Sequence, residues 1–132
     1  MTTNKFSINY GMKRLAKRLQ KLEKGDRIID KAFQPYANGV TKYSLRVWDE
    51  IKKHVDIKGF TVAKMEYSVK DHYTFTLTHK DGYKFVFNGV SAGYHGEGSR
   101  GTEKILKEIG FTKPERVFNL NNETFTFKRK TA

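Results

Sequence analysis

The sequence contains no cysteine. That absence rules out a disulfide framework and any zinc site with thiolate ligands. No apolar run approaches the roughly 20 residues that span a bilayer. The first ten residues, MTTNKFSINY, also lack the apolar stretch of a signal peptide. We therefore expect a cytoplasmic protein that makes no membrane contact.

Acidic residues are scarce relative to basic ones. The 132 residues include 26 Lys and Arg against 14 Asp and Glu, which gives a net charge of +12. Nine cations against three acids give +6 in residues 1–35, and five against two give +3 in residues 113–132. A field of this sign attracts polyanions. The hydrophobic content of 37% is enough for one folded core, so we expect a single domain over residues 1–132.

Residues 11–24, GMKRLAKRLQKLEK, form the clearest predicted helix, which Gly25 is expected to end. One face of this helix is apolar: Met12, Leu15, Ala16, Leu19 and Leu22. The opposite face carries six cations: Lys13, Arg14, Lys17, Arg18, Lys21 and Lys24. The basic face is either an ordinary solvated surface or a binding surface for phosphates or for an acidic protein patch. The apolar face lacks the tryptophan and phenylalanine that favour membrane binding.

The periodicity changes from helical to alternating at Phe60. Before that point we expect two short turns in residues 27–33 and a helix at about 44–55 with Ser44 as its N-cap. Beyond it, alternation predicts three strands, at about 60–69, 73–79 and 83–88.

The turn KDGY sets the register of the last two of these strands. A three-residue loop, Lys80 to Gly82, pairs Leu77 with Phe85 and Phe75 with Phe87, with Gly82 in a left-handed conformation. This register collects six large side chains on one face: Tyr73, Phe75, Leu77, Tyr83, Phe85 and Phe87.

The last third of the chain predicts one more helix, at about 102–109, which ends at Gly110. Two further strands are predicted near 117–120 and 124–129. The whole pattern predicts an α+β fold. N-terminal helices pack on an antiparallel meander sheet, and a glycine-rich loop leads into one late helix.

That glycine-rich loop, GYHGEGSRGT, is the main candidate site. Gly96 to Gly101 matches G-x-G-x-x-G, and the pattern stands between a predicted strand and a predicted helix. Glycine backbones let successive N–H groups converge on an anion, and a helix N-terminus adds a positive dipole end. The predicted ligand-binding residues are Gly93, Tyr94, His95, Gly96, Glu97, Gly98, Ser99, Arg100, Gly101 and Thr102. The competing interpretation is a flexible surface loop made of turn residues.

Individual side chains in this loop suggest separate roles. Arg100 offers a guanidinium fork to a phosphate, and Tyr94 can stack on a base. Glu97 can accept hydrogen bonds from a ribose or pair with Arg100. His95 and Glu97 are the candidate acid–base pair if the protein is an enzyme, although binding without catalysis is the favoured interpretation. The four histidines show no metal-ligand spacing, so we expect neither a metal nor a cofactor.

Two hypotheses for function follow. The first is non-enzymatic binding of a phosphate-bearing ligand, a nucleotide or a nucleic-acid backbone, through residues 93–102 and the basic surface. The alternative is a small interaction protein, such as a phage or mobile-element inhibitor of a host enzyme or defence protein. It would act through basic helix 11–24 on an acidic partner.

Overall fold

The computed structural model describes residues 3–33 and 40–129. The fold is α+β, as the sequence predicts: three α-helices pack against one five-stranded sheet. The helices are α1 (Thr3–Leu19), α2 (Thr41–His54) and α3 (Glu97–Ile109). The strands are β1 (Arg27–Ile29), β2 (Phe60–Ser68), β3 (His72–His79), β4 (Lys84–Phe87) and β5 (Phe125–Phe127). Short 3₁₀ helices cover Asp30–Phe33, Ile57–Gly59 and Pro114–Asn119.

The sheet order is β1-β4-β3-β2-β5. The β2–β3–β4 meander and β5 are antiparallel to their neighbours, whereas β1 runs parallel to β4. The sheet is therefore mixed but mostly antiparallel. The predicted hairpin register is confirmed, because Leu77 pairs with Phe85 and Phe75 pairs with Phe87. Gly82 has φ 92°, the left-handed conformation that this loop length requires.

The core lies between one face of the sheet and the helices. Trp48 of α2 is fully buried, and its ring lies 6.1 Å from that of Phe60 and 6.4 Å from that of Phe87. The alternation along β3 explains the two faces of the sheet, since Phe75 and Leu77 are buried while the threonines between them are only half-buried. Among the described residues, no helix has the length and apolar character needed to cross a bilayer.

Three predictions in the first half of the chain need correction. The first helix covers Thr3–Leu19 rather than residues 11–24, and it ends early because Asp26 holds the following turn. Residues 27–29 form β1 instead of a helical turn, since pairing with β4 satisfies their backbone. Ser44 is not an N-cap. It lies inside α2, which follows Val40, and its hydroxyl donates to the buried carboxylate of Asp30.

Two predictions in the second half also need correction. The late helix begins at Glu97, five residues before the predicted start, because tertiary packing overrides the low helix propensity of glycine. The predicted strand near 117–120 lies mostly in the 3₁₀ helix Pro114–Asn119, and β5 covers only three of the residues predicted near 124–129. Gly110 does end α3, with φ 104° and its N–H donating to the Leu106 carbonyl.

Candidate functional site

A cleft beside α1 collects most of the basic side chains that the sequence places on one helix face. Arg14, Lys17, Arg18 and Lys21 line this cleft together with Phe33, and its volume is about 460 Å³. We call it the basic cleft. Arg14, Lys17 and Arg18 are three and four residues apart, so they lie on one side of α1. Lys21 lies in the turn just after the helix ends. Phe33 lies in the 3₁₀ helix after β1, and sequence periodicity gives no signal for its position.

Arg14 is held in place by two aromatic rings. Its guanidinium carbon lies 5.2 Å from the Phe33 ring centroid and 5.9 Å from that of Tyr10. One of its nitrogens also donates a long hydrogen bond, 3.4 Å, to the Ala32 carbonyl. Such contacts limit the rotamers of an arginine while its remaining N–H donors stay available. Arg14 is therefore oriented before any ligand arrives.

Only one cation of the basic cleft is paired with a carboxylate within the described residues. Arg18 donates to Asp26 at 2.9 Å, and the Glu23 backbone N–H donates to the same oxygen at 2.8 Å. The hydrogen bond from Arg18, followed by that from the Glu23 amide, lowers the pKa of Asp26 below its ordinary value. Arg14, Lys17 and Lys21 form no ion pair with the described part of the chain.

The two remaining predicted members of the basic surface lie outside this cleft. Lys13 is exposed on α1 but does not contribute to the described lining. Lys24 follows the end of the helix and packs against the β3–β4 turn, where a Cβ added to Gly82 would lie 2.7 Å from its Cγ. Because α1 ends at Leu19, Lys24 does not lie on the helix face that the sequence predicts for it.

Four lysines of α2 and α3 are used differently. Glu108 of α3 accepts hydrogen bonds from Trp48 at 3.1 Å and from Lys52 at 2.7 Å, and it also bonds Lys104. Burial alone would raise the pKa of Glu108, but the hydrogen bonds from Lys104, Lys52 and Trp48 together lower it. Further ion pairs join Lys53 to Glu50 and Lys107 to Glu103. Carboxylates of α2 and α3 thus neutralise these four lysines.

The glycine-rich segment forms the start of α3. Gly96 is the N-cap, and Glu97 to Thr102 make the first turns of the helix. A Cβ on Gly98 would lie 2.8 Å from the Tyr94 hydroxyl, and one on Gly101 would lie 2.9 Å from Cγ2 of Thr41. Gly93 has φ 87°, and its N–H donates to the Val117 carbonyl at 2.8 Å. Close packing thus accounts for these glycines without a ligand.

The polar side chains of this segment do not converge on one point. Ser99 and Thr102 are buried, and the Thr102 hydroxyl donates to the Ser91 carbonyl at 2.7 Å. Arg100 and Glu97 are exposed. His95 stacks on Phe118 with 4.7 Å between ring centroids. Among the described residues, no hydrogen bond or ion pair joins His95 to Glu97.

A small polar cavity does adjoin this segment. Its volume is about 220 Å³, and its lining includes Gly98, Tyr94, Thr41, Asn88 and Asp71. Neither α2 nor α3 has a side-chain hydrogen bond at its N-cap, so both helices begin beside this cavity without a side-chain cap. Thr41, Asn88 and Asp71 come from three separate parts of the chain, and no local sequence pattern could have grouped them with the glycines. Arg100 is not part of the described lining.

Metal binding finds no support within residues 3–33 and 40–129, because no group of three or more His, Asp or Glu side chains is placed to hold an ion. No protein-family model matches the sequence, and neither a curated protein nor a solved structure matches it. Interpretation of the site therefore depends on geometry and charge.

Proposed function

We propose that this protein binds the phosphate backbone of a nucleic acid through the basic cleft. One observation carries the proposal: Arg14, Lys17, Arg18 and Lys21 line a single cleft of about 460 Å³. Arg14 and Arg18 are four residues apart, which is about 6 Å along α1, and Lys21 follows in the turn just after the helix. One strand of a duplex presents a phosphate about every 3.4 Å along its axis, so neighbouring phosphates can contact neighbouring cations. The spacing therefore suits several contacts to one backbone.

The charge distribution supports a polyanion more than a single phosphate. The net charge of +12 raises the local concentration of nucleic acid around the protein. Three of the four cations in the basic cleft have no carboxylate partner in the described residues, so binding would not require an ion pair to break. The aromatic contacts of Arg14 favour a fixed guanidinium fork, the geometry that recognises phosphate oxygens in pairs.

The experiment is a salt titration of binding to a fluorescein-labelled 20-nucleotide dT strand and to a 20-base-pair duplex. Four phosphate contacts predict a slope of log K against log salt of about −3 to −4. The variant Lys17→Glu/Lys21→Glu should weaken binding at least about tenfold at moderate salt and flatten this slope. Arg14→Lys keeps the charge but removes the fork, and a smaller loss is expected.

The matched control is Lys53→Glu/Lys70→Glu, which makes the same change in net charge at two exposed lysines outside the cleft. Its affinity should stay within about twofold of the parent protein at moderate salt, where charges more than a Debye length away are screened. An equal loss in both double variants would reject a local site. Tighter binding to a poly-glutamate peptide than to either oligonucleotide would favour the interaction-protein alternative instead.

The polar cavity at the start of α3 is a second candidate, for a single phosphate group. The observation that favours it is the meeting of two helix N-termini without side-chain caps at one cavity. Asp71 opposes an anion there, although it can accept a hydrogen bond from a ribose hydroxyl. Tyr94 is 50% exposed and lies at the edge of the cavity, where it can stack on a base.

Thermal-shift measurements with inorganic phosphate, AMP and ATP test this second site, because a ligand that binds the native state raises Tm. Asp71→Asn should strengthen phosphate binding, and Tyr94→Ala should weaken AMP binding but leave phosphate binding unchanged. The thermal shift of Arg100→Ala with phosphate shows whether the Arg100 side chain, which lies outside the cavity lining, contributes to phosphate binding. No shift with any of the three ligands would remove this candidate and leave the basic cleft unaffected.

A further inference from the structure

A second basic groove lies at the opposite edge of the sheet from β1. Its lining is Thr112, Lys113, Arg116, Phe125, Thr126, Phe127 and Lys128, and its volume is about 310 Å³. We call it the β5 groove. β5 ends the strand order, so it pairs with β2 on one side only. A strand with one neighbour directs about half of its backbone N–H and C=O groups away from that neighbour.

Within the described residues, no backbone hydrogen bond reaches residues 125–127 from any segment other than β2, so the outer edge of β5 itself is open. Just beyond the strand, by contrast, the chain is paired, since Phe111 bridges Arg129 and the Thr112 N–H donates to the Lys128 carbonyl at 2.8 Å. Lys113 then adopts φ 51°, a left-handed conformation that is uncommon for a residue other than glycine. The chain turns there into the 3₁₀ helix Pro114–Asn119. The groove is the space between that helix and β5.

The charges in the β5 groove all have one sign. Lys113, Arg116 and Lys128 contribute cations, and no Asp or Glu lines the described part of the groove. None of these cations forms an ion pair within the described residues. Arg116 is positioned by Phe125, with its guanidinium carbon 5.0 Å from the ring centroid. The edge thus combines open backbone groups with fixed positive charge.

We propose that the β5 groove binds an acidic segment of a partner protein, which adds to the sheet as an extended strand beside β5. Backbone pairing supplies the affinity in this mode, and alternate side chains supply specificity. The three cations repel the same edge of a second copy of this chain, which protects the edge from self-association. They attract carboxylates placed on one face of an incoming strand. Unlike the proposed nucleic-acid binding, this interaction does not use the basic cleft.

The test uses a fluorescein-labelled octapeptide that alternates Glu and Val, with binding followed by fluorescence anisotropy. Arg116→Gln/Lys128→Gln should weaken binding at least about tenfold, whereas the matched control Lys53→Gln/Lys70→Gln should change it less than about twofold. A second peptide with proline at the valine positions has the same charge but fewer backbone donors, and it should bind at least about fivefold more weakly. Hydrogen exchange at residues 125–127 should slow when the first peptide binds.

Several results would overturn the proposal. Equal binding of the proline peptide, or unchanged exchange in β5, would show attraction by charge without strand addition. Loss of peptide binding in Lys17→Glu/Lys21→Glu would place the peptide in the basic cleft. An eight-nucleotide dT strand that displaces the peptide and depends on Arg116 would make the groove a nucleic-acid site. If Arg116→Gln impairs folding, Lys113→Gln/Lys128→Gln serves instead, because it keeps the contact between Arg116 and Phe125.

Discussion

The basic cleft and the contact between α2 and α3 at Glu108 use their cations in opposite ways. In α2 and α3, Lys52 and Lys104 bond one carboxylate, Glu108, which also accepts from the Trp48 indole. In the basic cleft, Arg18 alone has a carboxylate partner among the described residues, and that partner is Asp26. Lys52 and Lys104 are therefore neutralised by Glu108, and the ion pair with Lys52 joins the two helices. Arg14, Lys17 and Lys21 of the basic cleft are exposed to solvent and keep their charge available to a ligand.

This difference separates structural charge from binding charge. A cation that is already hydrogen-bonded to a carboxylate has less to gain from an external phosphate, because a competing interaction must first break. Lys17 and Lys21 have no such competitor in the described residues. Net charge alone does not distinguish these two groups of lysines. Four substitutions test whether paired and unpaired cations differ in this way, and the substitution with the strongest predicted consequence comes first.

Gly11→Ala is expected to have the largest effect, because it disturbs the packing that forms the basic cleft. A Cβ at this position would lie 2.1 Å from the Phe33 carbonyl oxygen, and a backbone atom cannot move aside as a flexible side chain can. The clash should exceed the gain in helix propensity and lower the free energy of unfolding by about 2 kcal/mol. Urea denaturation measures this change, with Ala16→Gly as the control for propensity. Equal stability of the Gly11→Ala variant and the parent would contradict the close approach of α1 to Phe33.

Glu108→Gln tests whether the ion pairs of Glu108 stabilise the folded state. The folded-state pKa of Glu108 is below its ordinary value of 4.5, so its carboxylate stabilises the fold above that pH. This contribution is lost as the pH falls through the lowered folded pKa. The variant should therefore lose about 1.5 kcal/mol at pH 7 and match the parent at acidic pH, where Glu108 is protonated in both states. Denaturant unfolding at both pH values gives the measurement. A difference that persists at acidic pH would point to packing rather than charge.

A comparison of Lys21→Gln with Lys107→Gln tests whether an unpaired lysine of the basic cleft contributes more to oligonucleotide affinity than a paired lysine of α3. Lys21 lines the basic cleft, whereas Lys107 pairs with Glu103 at 3.5 Å. Removing Lys21 should weaken oligonucleotide binding about fivefold at moderate salt and reduce the salt slope by about one. Removing Lys107 should leave both quantities nearly unchanged. Similar losses in the two variants would mean that net charge, and not the cleft, determines affinity.

Arg100→Ala should have the smallest effect on stability. The side chain is exposed, and it makes no hydrogen bond or ion pair within the described residues. The free energy of unfolding should change by less than about 0.5 kcal/mol. Thermal and urea unfolding measure it. A larger loss would reveal a structural role for Arg100, and the phosphate experiment at the cavity would then need Arg100→Lys as its variant.

Sequence periodicity located the elements with strong alternation or strong amphipathicity. The β3–β4 register, the left-handed Gly82 and the end of α3 at Gly110 are confirmed because each depends on local backbone geometry or on strict side-chain alternation. β1 was missed because three residues carry almost no periodic signal and their structure depends on a parallel partner almost sixty residues away. Ser44 was misassigned as a cap because its partner, Asp30, is distant in sequence.

The two candidate sites differ in how far local sequence spacing predicts them. Four of the six predicted basic residues do line one cleft. Three of them share one side of α1 because of their spacing, and Lys21 lies in the turn just after the helix. The glycine-rich segment was recognised as unusual, but its local pattern could not distinguish a phosphate loop from a close-packed helix start. That distinction depends on Thr41 and Ser91, which contact Gly101 and Gly98 from elsewhere in the chain.

The α+β class, the basic helix face and the central hairpin can be derived from the amino-acid sequence, because these features follow from composition and from interactions between near neighbours. Which lysines stay unpaired, which glycines serve packing and which strand edge stays open are visible only in the folded chain. Those outcomes depend on contacts between residues far apart in the chain, and local periodicity does not encode such contacts.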